Sequence, residues 1–193
     1  MASEFELKYR ADGDIQARIR ADYPGAWREI PMTTTYYDTA DGALSANHWT
    51  LRHRREGDRD VCTLKTPGIG HVRGEWEWDS PAITQALLPL SRMSGSLELL
   101  ELASRGLVAV CGARFTRFAL DIEGENFAAE LALDAGILHS GSREIPLCEV
   151  ELELKSGDRD AMEAYCAAFA EKYALELEPR SKYARAKALS REG

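Results

Sequence analysis

Glu4-Phe5-Glu6-Leu7-Lys8-Tyr9-Arg10 alternates charged and apolar residues without a break. Side chains at i, i+2 and i+4 of an extended strand share one face, at roughly 6.5–7 Å per step. Glu4, Glu6 and Lys8 therefore point one way and Phe5 and Leu7 the other, the pattern of a half-buried strand. The same period recurs. Arg52 and Arg54 oppose Leu51 and His53, while Arg73, Glu75 and Glu77 oppose Trp76 and Trp78. Glu130 and Asp134 share a face with Ala132, opposite Leu131 and Leu133, and Glu149, Glu151, Glu153 and Lys155 oppose Val150, Leu152 and Leu154. One such row is explained by an antiparallel strand with a solvated face. Repetition with the signs segregated points elsewhere: the first and last charged strands are carboxylate-rich, and the Arg52/Arg54 hairpin, with Lys65, is basic. Acidic and basic rows meeting in one cavity suit a metal bound to a phosphate chain. Carboxylates are hard oxygen ligands for Mg²⁺ or Mn²⁺, and Arg and Lys hold phosphate oxygens.

Between these rows the chain reads as strands joined by turns. Residues 33–38 are rich in Thr and Tyr, and 49–55 and 60–66 form a hairpin across Glu56-Gly57-Asp58. Residues 114–122 and 127–134 form another, Ala135-Gly136 marks the next turn, and a strand over 148–155 follows Pro146. Asp12 caps a short helix bearing Ile15 and Ile19; Ser80-Pro81 starts helical pieces reaching to residue 105, broken near Pro89 and Gly95. Asp158 caps a helix with the apolar stripe Met162, Tyr165, Phe169 and Tyr173, and a last helix covers 182–189. Trp76 and Trp78 are expected to pack beneath helices. No repeat or linker divides the chain, so one α+β domain over 1–193 is expected, built on an antiparallel sheet of about eight strands closed as a barrel, with peripheral helices.

Composition narrows the function. The 193 residues carry 24 Lys+Arg against 32 Asp+Glu, a net charge of −8, which argues against a broad grip on duplex nucleic acid or an anionic membrane. Cys62, Cys111, Cys148 and Cys166 show no CxxC spacing and fit a reducing cytoplasm. The N-terminus lacks the basic and apolar regions of a signal peptide, and the weakly polar run at 106–113 is too short to span a bilayer. GxGxxG, Walker A, GxSxG and HExxH are all absent.

Glu4-Phe5-Glu6-Leu7-Lys8 has the form ExExK. It is followed in order by Tyr36-Tyr37-Asp38-Thr39, Leu51-Arg52-His53-Arg54, Thr63-Leu64-Lys65, Arg73-Gly74-Glu75, Glu130-Leu131-Ala132-Leu133-Asp134, Cys148-Glu149-Val150-Glu151-Leu152-Glu153-Leu154 and Ser181-Lys182. With this series the chain resembles the CYTH superfamily, the triphosphate tunnel metalloenzymes, over nearly its whole length. Within it, the chain is most similar to bacterial inorganic triphosphatases. Many of those carry a helical CHAD domain after the catalytic one; with so little sequence after Lys182, none is expected here. His53 stands where relatives have an aliphatic residue, on the face opposite the two arginines.

The resemblance implies an eight-stranded antiparallel barrel open as a tunnel, with the triphosphate inside. It implies metal ligands at Glu4, Glu6, Glu151 and Glu153, with Glu149 nearer the rim and Glu130 and Asp134 completing the acidic set. Mg²⁺ or Mn²⁺ is the implied cofactor. Lys8, Arg52, Arg54, Lys65, Arg73, Arg117 and Lys182 are the implied phosphate cradle, with Arg114 competing with Arg117 and with Glu75 orienting basic residues. Glu6, Glu153, Lys8, Arg52 and Arg54 are the implied catalytic core. The expected activity is metal-dependent hydrolysis of inorganic triphosphate to pyrophosphate and phosphate. The alternatives are a class IV-type adenylate cyclase, a thiamine or nucleoside triphosphatase on the same scaffold, or a non-catalytic polyphosphate-binding module. The expected partner is a small anionic substrate, with no nucleic-acid duplex and no membrane, and the expected state is a cytoplasmic monomer or homodimer.

Overall fold

The structure, a computed structural model, describes residues 5–67 and 74–191. Glu4 and Arg73 lie outside the described residues, so their assignments rest on sequence alone. In chain order the elements are β1 (Glu6–Arg10), α1 (Gly13–Asp22), β2 (Arg28–Thr39), α2 (Ala43–Ala46), β3 (Thr50–Glu56), β4 (Arg59–Thr66), β5 (Gly74–Asp79), α3 (Ile83–Ser94) and α4 (Glu98–Ser104). Then follow β6 (Leu107–Gly124), β7 (Phe127–Ser140), β8 (Arg143–Gly157), α5 (Arg159–Tyr173), β9 (Glu176–Leu177), α6 (Lys182–Ala188) and a 3₁₀ turn (Leu189–Arg191).

All nine strands join one antiparallel sheet in the order β5-β4-β3-β2-β6-β7-β8-β1-β9. The α+β class and the antiparallel sheet are as the sequence implies. Among the described residues the ring of hydrogen bonds is not closed: β5 and β9 are its two edges. The sheet nonetheless curls until β1 and β8 face β4 and β5 across a shared cavity, lined by Glu6 and Lys8 from one end of the strand order and by Lys65, Glu75 and Glu77 from the other.

Three apolar clusters hold this shape. α1 and α5 cover the outer face of β1, β6, β7 and β8, burying Ile19, Leu131, Leu133, Val150, Leu152, Met162 and Phe169. α3 and α4 cover the other end of the sheet over Leu51, Cys62 and Leu64. The third cluster lies on the inner face, where Ala186 and Tyr183 of α6 pack on Met32, Tyr36, Phe115, Leu138 and Leu147. At roughly 25 cal/mol per Å² of apolar area removed from water, such clusters dominate the stability of the sheet. α6 therefore fills one end of the curl and leaves the charged remainder as the cavity.

Several boundaries differ from the sequence reading, each for a physical reason. β7 runs straight through Ala135-Gly136 and turns at Gly141, whose φ of 57° supplies the left-handed backbone. A Cβ on Gly136 would lie 2.2 Å from the Arg114 carbonyl, so the glycine there allows β6 and β7 to approach rather than marking a turn. Pro146 lies inside β8 opposite Ile137, in a stretch where β1 no longer pairs on the other side, so its missing N–H breaks no ladder. α3 begins at Ile83 rather than at Pro81 and continues through Pro89, because Ile83, Ala86 and Leu90 bury a continuous face against the sheet. It ends at Gly95, as expected. Trp76 packs against the α3 cluster, but Trp78, near the end of the edge strand β5, is 46% exposed.

Candidate active site

Strand register assembles the site. Glu6 lies directly opposite Glu153, and Glu153 opposite Glu130, so three adjacent strands carry carboxylates in one row. The next row pairs Lys8 with Glu151 and Ala132. One row further, Arg10, Glu149, Asp134 and Arg117 follow in register across β1, β8, β7 and β6. On the other arm, Tyr36 opposes Arg52 and Thr34 opposes Arg54; beyond them Thr50, Lys65 and Glu75 align across β3, β4 and β5. Adjacent strands stand about 4.8 Å apart, so residues in one row act as neighbours.

These inward faces enclose a cavity of about 1040 Å³. It is lined by Glu6, Lys8, Arg52, Arg54, Lys65, Glu75, Arg117, Glu130, Glu151, Glu153 and Lys182, eleven of the described candidates. Arg114 does not line it: its guanidinium donates to Glu144 at 2.7 Å on the outside, half exposed. Residues three apart on a regular strand face opposite ways, and Arg117 has the inward parity. Asp134 and Glu149 lie beneath the cavity wall, both fully buried. Glu56, Glu77 and Lys155 also line the cavity and are absent from the candidate set. The two-residue period carries their signal, since each follows a candidate by two positions.

The deep end of the cavity is a closed ionic cluster. Arg117 donates to both oxygens of Asp134 at 2.8 Å and also to Glu151. Lys182 Nζ lies 2.7 Å from Asp134 and from Glu151 and also contacts Glu149, which accepts from Arg185 at 2.5 Å. Gln16 of α1 ties the two strands from below, donating at 3.0 Å to the Asp134 and Glu149 carbonyls. Burial pushes Glu151 up, but Lys182 and Arg117 outweigh it and hold it well below the usual carboxylate range. Glu149, by contrast, is raised by burial more than Lys182 lowers it. Oxygens of Asp134, Glu149 and Glu151 lie within 4.8 Å of one another, a spacing that suits a cation. The Lys182 ammonium already occupies that position. Burial acts to lower Lys182, but Glu151, Asp134 and Glu149 raise it, so the ammonium stays charged. In this structure the three carboxylates, all expected in the metal set, are paired with lysine and arginine.

The arginines of the basic wall are paired more loosely. Arg54 is 8% exposed and donates to Thr34 Oγ1 at 3.1 Å; Arg52 donates to Thr63 Oγ1 at 3.2 Å. Arg52 also approaches Glu75 and Glu77 at 3.6 Å each, and Lys65 lies 2.7 Å from Glu75. Glu56 is 3.6 Å from Arg54. Burial pushes the Arg54 guanidinium down, and the like charges of Arg52 and Arg117 push the same way. Three guanidinium groups thus converge on one side of the cavity, each with a carboxylate nearby, a geometry that suits the oxygens of an entering anion.

The acidic row is the remaining pole. Glu130 accepts from Arg28 at 2.9 Å, and Arg28 is itself forked onto Asp121 at 2.7 and 3.1 Å. Glu6 has Lys8 at 3.8 Å and Glu153 has Lys155 at 2.8 Å. Glu6 and Glu153 border the cavity, each with a lysine beside it.

Comparison with known proteins follows the same lines. The CYTH domain family model matches residues 2–186. An inorganic triphosphatase of Haemophilus influenzae is 31% identical over 129 residues, covering 66% of this chain and 37% of the relative, so the chain spans little more than a third of that protein's length. Solved structures share the fold, two of them as follows. A Pyrococcus horikoshii protein is 20% identical with a TM-score of 0.65, covering 98% of this chain and 99% of its own. The Hippeastrum protein HpAC1, described as revealing a dominant triphosphatase activity, is 18% identical with a TM-score of 0.64 over 96% of this chain and 95% of its own.

Proposed function

The chain belongs to the CYTH domain family, and from that premise we propose that it is a metal-dependent hydrolase cleaving inorganic triphosphate to pyrophosphate and phosphate in the charged cavity. The observation that carries this reading is the convergence of Arg52, Arg54 and Arg117 on a buried space faced by an acidic row. Phosphoanhydride hydrolysis needs positioning and charge neutralisation more than covalent help. In this reading Arg52, Arg54 and Arg117 grip the phosphate oxygens, and Lys8, Lys65 and Lys182 add point charges along the chain. Glu75 orients Arg52 and Lys65, and Asp134 and Glu149 hold Arg117 and Lys182 in place.

The donor chemistry of Glu6, Glu153 and Glu130 fits a divalent cation, because all three are carboxylates in one register row at the cavity wall. Of these, Glu6 and Glu153 would hold it, with Glu4 adjoining them in sequence. When bound, Mg²⁺ or Mn²⁺ supplies charge neutralisation and Lewis acidity toward the phosphate chain and water. A carboxylate oxygen of the same row accepts the proton of the attacking water. No nucleophilic side chain is required, and no covalent intermediate forms. The four cysteines, all free thiols, support a reducing compartment such as the cytoplasm. Among the described residues no helix is long and apolar enough to cross a membrane.

Phosphate release is to be measured with tripolyphosphate, ATP and thiamine triphosphate side by side, with Mg²⁺ or Mn²⁺. Tripolyphosphate is expected to turn over fastest, and Glu6→Ala and Glu153→Ala to lose at least about 10²-fold in kcat, the scale of removing a positioned catalytic group. Undiminished turnover in both variants would sink the site assignment, and faster turnover of either organic triphosphate would change the substrate.

A further inference from the structure

Lys155 is a cavity cation to which the triphosphate reading gives no part. It lines the cavity next to Glu153, and its ammonium lies 2.8 Å from Glu153 Oε1. Its placement is built into the sheet. Ala129 pairs with Leu154 but Ala128 pairs with Ser156, so Lys155 is the extra residue of a β-bulge. Bulges interrupt regular pairing and re-aim a side chain, and they cluster beside functional sites. A solvated ion pair at a strand end would account for the 45% exposure of this side chain. It does not account for the partner, which is one of the two carboxylates best suited to the metal.

We propose that Lys155 is an exchange cation: it holds Glu153 until a divalent ion takes that carboxylate, and its released ammonium then binds the phosphate group at this end of the cavity. This deepens the triphosphate reading and rests on it. An exposed ion pair is weak, so a doubly charged ion displaces the ammonium readily. The stem of a lysine is flexible, and the released head group can swing to a new anion without moving the strand. Metal and triphosphate then favour each other's binding through one side chain, by an ion-pair swap in which no bond is made or broken.

Direct binding, measured by calorimetry without turnover, tests this. Mn²⁺ is titrated in the absence of substrate, and tripolyphosphate in the absence of metal. Lys155→Met is expected to bind Mn²⁺ about two- to fivefold more tightly, the scale of one exposed ion pair. Lys155→Arg is expected to restore the wild-type value.

Loss of any positive charge would strengthen metal binding somewhat through the general field, so a second comparison isolates the release. Glu153→Gln takes this carboxylate from Lys155, whereas Glu6→Gln removes the same charge and leaves the Lys155–Glu153 pair intact. Metal-free tripolyphosphate binding is expected to tighten more in Glu153→Gln, and adding Lys155→Met is expected to cost more there than in Glu6→Gln. Equal costs in the two backgrounds, or no change in Mn²⁺ affinity on Lys155→Met, would overturn the exchange role. If the wild-type protein binds no tripolyphosphate with or without Mn²⁺, the triphosphate reading itself falls, and the exchange role with it.

Discussion

Burying a charged side chain is costly unless an opposite charge meets it, and single residues in this fold show both ways of meeting that cost. Lys182 is surrounded by three carboxylates of its own chain, whereas Arg54 faces a cavity together with two other arginines. Glu178 shows the first case outside the site, where it can be tested without touching the chemistry. Its side chain is 4% exposed and accepts from Arg10 at 3.0 Å and from the Arg180 backbone and guanidinium at 3.1 and 3.2 Å. Burial pushes Glu178 up, but Arg180 and then Arg10 outweigh it and bring it to about 2. A carboxylate with a depressed folded-state pKa contributes stability that is present above its unfolded value and is lost as pH falls toward the folded one. Glu178→Gln should therefore lower stability at pH 7 by on the order of 2 kcal/mol, a figure discounted because both arginines are more than half exposed. That gap should close between pH about 4.5 and pH about 2. Denaturant midpoints of the two proteins at several pH values check it, and a gap that stays constant down to pH 2 refutes it. Alternation along the strand told which face Glu149 shares with Glu151 and Asp134 with Glu130, and the rows are in register as that period requires, while the choice between Arg114 and Arg117 stayed open. It could not tell depth. Whether a carboxylate on the inward face meets a metal or a lysine depends on α6, and no two-residue period encodes where a helix thirty residues downstream will lie.

At the scale of elements, most strands and helices were legible because their signals are local. Asp12 and Asp158 accept from Ile15 N and Ala161 N at 2.8 Å each, as capping residues should. Where the sequence reading failed, a long-range contact overrode a local preference. Ala135-Gly136 has turn chemistry, but Gly136 lies inside a fourteen-residue strand pressed against the β6 backbone. Gly136→Ala would drive a Cβ to within 2.2 Å of the Arg114 carbonyl and 2.5 Å of Phe115 Cα, both backbone atoms that cannot rotate away. It is expected to cost about 1–3 kcal/mol, as overpacking does. Gly13 opens α1 with nothing within 4 Å of the place a Cβ would take, so Gly13→Ala should be neutral or stabilise by about 0.4–1 kcal/mol. Urea unfolding of the pair measures this. Equal effects would mean that close approach of the β6 backbone does not set the need for glycine in β7. Pro89 makes the same point from the other side, since burial of Ile83, Ala86 and Leu90 keeps α3 continuous despite one lost hydrogen bond.

For the molecule as a whole, a net charge of −8 looks wrong for a polyanion site, and the structure locates the excess. Among the described residues the cavity wall carries seven cations (Lys8, Arg52, Arg54, Lys65, Arg117, Lys155 and Lys182) and seven carboxylates (Glu6, Glu56, Glu75, Glu77, Glu130, Glu151 and Glu153). The wall is formally neutral, so the surplus negative charge lies elsewhere. A neutral wall cannot by itself compensate a triphosphate carrying roughly −4 at neutral pH, where each terminal phosphate approaches a double charge. Field energies in a cavity of low dielectric are too large to leave such an imbalance standing. The missing positive charge must arrive with the ligand, and about two divalent ions per triphosphate meet the demand. Tripolyphosphate should therefore bind weakly to the metal-free protein, and Mn²⁺ should be taken up with it at close to two ions per site. Equilibrium dialysis with Mn²⁺ counted at saturating tripolyphosphate, in wild type at low temperature to suppress turnover, gives the number. Tight binding in a metal chelator, with no Mn²⁺ taken up, would mean that the cavity's carboxylates are protonated or displaced when the anion enters, and that the neutrality of the resting wall does not govern what it binds.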